Sequence, residues 1–219
     1  MRMRGSWFAA VFGGVFASLT FASTSNAVTI FDDFGLGNSY NCCTGWSIDP
    51  AFSPVGMSFT SSINADITQV DVAISNILGP NSGTTITLYP NSGGAPDFGS
   101  PINSWVLGTL PAFGSSDPPT SISGITGAHV TAGGSYFLVA VAVSDDINAW
   151  NRNNQGVDGI FFQNSLTFFN TLGAFRVLGD ETTAATPLPA ALPLFAGGLG
   201  LIGLLARRRK QKATSCVGS

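Results

Sequence analysis

Apolar and polar positions alternate over short runs from Val28 to about Asp180. Val70, Val72 and Ile74 are separated by small or polar residues, as is Ile86 from Leu88, and Trp105 and Leu107 keep the same spacing across Val106, which is the two-residue period of a half-buried strand. Tyr136 to Val143 is apolar almost throughout, so it predicts a central strand covered on both faces. Gly133-Gly134 before it and Asp145-Asp146 after it mark turns. Further strands are expected over Ile160–Gln163, Leu166–Phe169 and Ala174–Leu178, whereas Asn91 to Pro96 and Asp117-Pro118-Pro119 read as loops. Short strands at this spacing predict an all-β fold, a two-sheet sandwich of jelly-roll type over residues 28–181.

The two ends follow another pattern. Arg2 and Arg4 precede an apolar run from Trp7 to about Phe21, and a small polar stretch closes on Ser25-Asn26-Ala27. These are the three parts of a secretory signal peptide, residues 1–27, with cleavage expected after Ala27. An uncleaved anchor is the alternative, although the run is shorter than the ~20 residues a spanning helix needs. Near the other end, residues 182–186 form a short spacer, and Ala191 to Ala206 carries no charge before Arg207-Arg208-Arg209-Lys210. About 16 residues at 1.5 Å each reach roughly 24 Å, near the lower limit for a membrane helix. Basic residues stay cytoplasmic, so the cluster Arg207, Arg208, Arg209 and Lys210 serves as a topology signal. It places the domain before the helix on the outer side of the inner membrane and residues 213–219 in a cytoplasmic tail.

Charge follows the same division. Residues 28–183 hold only Arg152 and Arg176 against twelve acidic residues, a net −10 without one lysine. Such a body repels phosphate backbones, which argues against nucleic acid as a partner. Only 10% of the chain is charged, and the Gly, Ser, Thr and Asn content of its middle suits strands and turns.

Pro187-Leu188-Pro189-Ala190, the Gly-rich apolar helix and the terminal basic cluster, together with the signal peptide, resemble the PEP-CTERM sorting signal over residues 187–212. Thr186 stands where that motif usually has Val, and the tail from Gln211 to Ser219 is longer than most members carry. The resemblance implies a substrate of exosortase, an integral-membrane cysteine transpeptidase of Gram-negative bacteria that make extracellular polysaccharide. The physics of the motif agrees: two prolines fix φ and keep the segment extended, and Gly197, Gly198, Gly200 and Gly203 thin one helix face for close approach. An ordinary single-span anchor is the plainer alternative. The mature domain resembles the choice-of-anchor R domain in Phe31 and Phe34, Gly45-Trp46, Leu88 to Pro96, Gly133 to Val143 and Ala174-Phe175-Arg176-Val177. That family brings no chemistry with it.

Catalytic candidates are few. His129 is the only histidine, which excludes a multi-histidine metal centre, and Glu181 is the only glutamate and lies at the linker, so no enzyme is expected. Asp145, Asp146 and Asn148, with Asp158, could supply hard oxygen ligands to Ca²⁺, against the plainer reading of solvated turn carboxylates; no other cofactor is expected. Trp150, within the Asn- and Asp-rich stretch Asp145 to Asn154, is a candidate sugar contact, whereas Trp46 and Trp105 suit core packing. Cys42-Cys43 could close a local disulfide or pair with another molecule. The expected function is therefore an exported, tethered surface or matrix protein without catalysis. The alternative is a carbohydrate-binding module that holds extracellular polysaccharide.

Overall fold

The computed structural model describes residues 27–52 and 54–182. The expected signal peptide up to Asn26, and the expected sorting motif Pro187–Ala190, membrane helix and basic cluster, lie outside the described residues. Among the described residues fifteen strands form: β1 Val28–Asp32, β2 Asn41–Ile48, β3 Val55–Thr60, β4 Ala65–Val72, β5 Ile74–Leu78, β6 Thr84–Ser92, β7 Ala95–Pro96, β8 Asn103–Leu107, β9 Thr120–Ser123, β10 His129–Val130, β11 Ser135–Ala142, β12 Ile147–Arg152, β13 Asp158–Gln163, β14 Leu166–Thr171 and β15 Phe175–Glu181. The fold is all-β and sandwich-like.

One large sheet runs β1-β15-β4-β10, with β9 also on β4, and the other runs β14-β13-β3-β11-β6-β7, with β8 also on β6. Their facing side chains make the main core: Ile30, Ile67, Val70, Val72, Phe175 and Val177 from one sheet meet Met57, Phe59, Ile86, Leu88, Leu138 and Phe161 from the other. Alternation along each strand sends every second side chain inward, which is why the period read from the sequence is the period of burial.

The apolar run at β11 is central, between β3 and β6, and it is covered on both faces. Tyr136, Leu138 and Ala140 enter the main core, while Phe137 and Val139 pack with Phe162 in a second cluster on the outer face. Phe98, in the loop after β7, reaches over Tyr89 and Phe162 and helps cover this outer layer.

Two expectations need correction. Asn91 to Pro96 is not a loop: Asn91 and Ser92 end β6, Ala95 and Pro96 form β7, and only Gly93-Gly94 make the turn, both at positive φ. Among the described residues the sheets number three rather than two, because β2-β12-β5 forms a separate small sheet. Ala73 is where the chain changes sheets. Its N–H donates to Ala174 O and its C=O accepts from Asn151 N, so Val72 stays in β4 while Ile74 begins β5 on a different layer.

Candidate functional site

The ends of the described chain emerge side by side. Val28 pairs with Gly179 on β15, and Ala65 of β4 pairs with Glu181, so Ala27 and Thr182 leave from one end of one sheet. Asp32 pairs with Arg176, and Val72 pairs with both Phe175 and Thr120, so the segments 33–40 and 116–119 gather at the opposite end. Seven rises of β4 separate the two ends by about 23 Å.

At that far end lies a cleft of about 390 Å³ lined by Gly37, Asn38, Ser39, Tyr40 and Ser116 to Pro119. Its walls are built by turn chemistry. Gly37 and Asn38 take positive φ, and Gly35 N–H closes the turn onto Ser39 O at 2.8 Å. On the other wall, Pro118 and Pro119 hold the backbone extended, and Asp117 accepts from Ser115 Oγ. Tyr40 joins the walls: its hydroxyl donates to Asp117 O at 2.8 Å, and its ring meets Phe34 edge-on at 6.3 Å. Burial, reinforced by the Asp117 carboxylate, raises the Tyr40 pKa and keeps the phenol a neutral donor.

A buried electrostatic network supports the cleft from below. Arg176 donates from Nε and Nη2 to Asp71 Oδ2 at 2.9 and 2.5 Å, and from Nη1 to Asn38 Oδ1 at 2.9 Å. Asp71 is 1% exposed and also accepts from Gln69 Nε2 and Ser121 Oγ, so β4, β9 and β15 converge on one carboxylate. Asp33 sits beside this network, 1% exposed; its Oδ1 accepts Phe175 N–H at 2.7 Å, while Oδ2 has no partner. Desolvation, set against that hydrogen bond, pushes the Asp33 pKa up to about 8, so the carboxyl is largely protonated at neutral pH.

The residues singled out from the sequence lie elsewhere. Trp150 is not a sugar contact: it is fully buried in β12, its Nε1 donates to Ala174 O at 3.0 Å, and its ring packs edge-on to Phe175. Its neighbour must be Gly173, where a Cβ would collide with the indole. The asparagines around it are equally occupied. Asn148 donates to Gly83 O and Thr84 Oγ1, Asn151 to Ala73 O and Ser75 Oγ, and Asn153 to Val157 O and Leu172 O. The Asn-rich stretch is largely strand β12, and Asn148 ties the small sheet to β6 of a large one.

Nor do the calcium candidates converge. Asp146 is buried and accepts from the backbone amides of Asn81, Ser82 and Gly83, so it clamps a turn. Asp145 is exposed, and Asp158 accepts from Thr171 Oγ1 at the start of β13. Among the described residues no group of three His, Cys, Asp or Glu side chains is placed to hold a metal. Cys42 and Cys43 are joined to each other on β2. Gly45 opposes Asn151 and Asn41 opposes the next residue, Arg152, so residues 42–44 bulge from the ladder and carry the disulfide outward. Arg152 covers the Trp46 ring at 4.3 Å, and Trp46 stacks on Phe161. His129 pairs with Asp66 at 3.1 Å on the surface.

No protein-family model matches this chain, and the comparison with curated proteins finds no match.

Of the cleft residues, Asp117-Pro118-Pro119 read from sequence as a loop, and none read as part of a site. Gly35 to Tyr40 carried the available signal: a tyrosine following Gly and Asn residues able to take positive φ.

Proposed function

We propose that this chain is an exported, membrane-tethered surface or extracellular-matrix protein, sorted by an exosortase-type transpeptidase and without catalysis of its own. Its body, in this reading, is a sandwich of jelly-roll type, joined through the spacer 182–186 to the sorting signal. The observation that carries the proposal is the pairing of Val28 with Gly179, which brings both chain exits to one end. A domain tethered through that end would turn the Tyr40 cleft away from the membrane. The acidic, lysine-free body suits an anionic surface that stays solvated and resists adhesion to nucleic acid.

The test is substitution of the motif. Pro187→Ala with Pro189→Ala is expected to leave the chain in the inner membrane with its basic cluster intact, whereas the native chain loses that cluster in cells that contain the transpeptidase. Equal processing of both would refute the sorting claim.

Carbohydrate binding is the second reading, and its site moves from Trp150 to the cleft. What favours it is a partly exposed aromatic ring beside Asn38, Ser39 and Asp117 without a lining cation, a set suited to the hydroxyls of a neutral sugar. Tyr40→Ala should abolish retention on the producing cell's polysaccharide if this is correct; unchanged retention would reject it.

A further inference from the structure

The edge of the larger sheet is β14, Leu166-Thr167-Phe168-Phe169-Asn170-Thr171, and among the described residues it pairs only with β13. Five of its six residues are exposed, and Phe169 is 76% exposed. Edge strands normally protect themselves with charge, bulges or brevity. Several others here do so: β1 ends on Asp32, β2 carries its disulfide bulge, and β7 and β10 are two residues long, whereas β8 and β9 are uncharged edges shorter than β14. Nothing of that kind protects β14. Gly159 through Phe175 contains no charged residue, although the body around it is strongly acidic.

Register decides what can pair there. Asn164 and Ser165, with φ 49° and 64°, make a two-residue type I′ turn, and Gln163 opposes Leu166 as its closing pair. The closing pair exchanges both hydrogen bonds, so Leu166, Phe168 and Asn170 bond inward to β13, and the N–H and C=O of Thr167, Phe169 and Thr171 point outward. Those of Thr171 are already used: its N–H donates to Asn170 Oδ1 and its C=O accepts Trp46 Nε1 at 3.0 Å. Among the described residues, the outward groups without a partner are therefore those of Thr167 and Phe169.

We infer that β14 is a homodimer interface, with a second copy of this chain adding its own β14 antiparallel across a two-fold axis at Phe168. Only this register satisfies all four free groups of each strand with those of its partner, Thr167 opposite Phe169 and Phe169 opposite Thr167. Phe168 then opposes its own copy as a non-hydrogen-bonded pair, where side chains approach closest. A second copy is the fitting occupant because self-pairing is isologous and the symmetry satisfies both strands at once. Two bodies of net −10 repel, and a charge-free edge gives them a place to meet without opposing carboxylates.

The experiment uses the full chain in detergent, with Cys216→Ser as background. Sedimentation should give a dimer, and Phe168→Lys should convert it to monomer while the near-ultraviolet circular dichroism stays unchanged. Under mild oxidation Phe168→Cys should form covalent dimer at least tenfold faster than Ser92→Cys on the β6–β7 hairpin. A chain that is monomeric at about 100 μM, a dimer that survives Phe168→Lys, or equal cross-linking at both cysteines would overturn the proposal.

Discussion

Replacing Asp33 by asparagine should flatten the dependence of stability on pH. Burial desolvates the carboxyl and leaves Oδ2 without a partner, which favours its neutral form and raises its pKa to about 8, against the opposing hydrogen bond from Phe175 N–H to Oδ1. In the unfolded chain the same group titrates near 4, as an ordinary aspartate does. Folding therefore takes up a proton between these values. The contribution to stability is full below about pH 4 and is lost as pH climbs to about 8, because the unfolded state gains by ionising. At 1.36 kcal/mol per unit, roughly four units correspond to about 5 kcal/mol, an upper bound that water reaching the opened site would reduce. The side-chain amide of Asp33→Asn keeps an acceptor for Phe175 N–H and cannot ionise. Urea unfolding of both proteins at pH 5, 7 and 9 isolates the effect, since other titrating groups cancel in the difference. The variant should gain on the native protein by several kcal/mol between pH 5 and 9. A difference constant within about 0.5 kcal/mol, the ordinary scale of a neutral surface change, would show that Asp33 is ionised in the folded state and would refute the reasoning.

Other outcomes follow from the same geometry. Arg176→Met leaves Asp71 buried with only Gln69 and Ser121 as partners and should cost about 3 kcal/mol by denaturant unfolding. Trp150→Ala should cost about 3–5 kcal/mol, and chain that still folds should keep any polysaccharide retention, since the indole lies in the core. Asp146→Ala frees three turn amides and should lower stability by about 2 kcal/mol, whereas a chelator should leave the melting temperature of the native protein unchanged.

The strands were legible where one face is buried. Val70 and Val72 show the alternation because β4 packs one face on the opposite sheet, and the continuous run at Tyr136 to Ala140 reflects a strand covered twice. The third sheet was not legible. Ile74 continues the period of β4, and only the hydrogen bonds of Ala73 to Ala174 and Asn151 reveal that the chain has changed layers. Trp150 misled for a related reason. Asparagine signals a loop by its propensity, yet Asn148, Asn151 and Asn153 use their amides to satisfy backbone carbonyls over long sequence separations, and local sequence carries no trace of those partners. The cleft is hidden similarly, since Tyr40 and Asp117 lie 77 residues apart and meet only because β1 and β9 reach the same end of one sheet.

Intact mass of the chain recovered from its own cells tests the central claim most directly. A polypeptide beginning at Val28 and ending before Arg207 would match an exported, processed protein; one retaining both Met1 and Ser219 would contradict it.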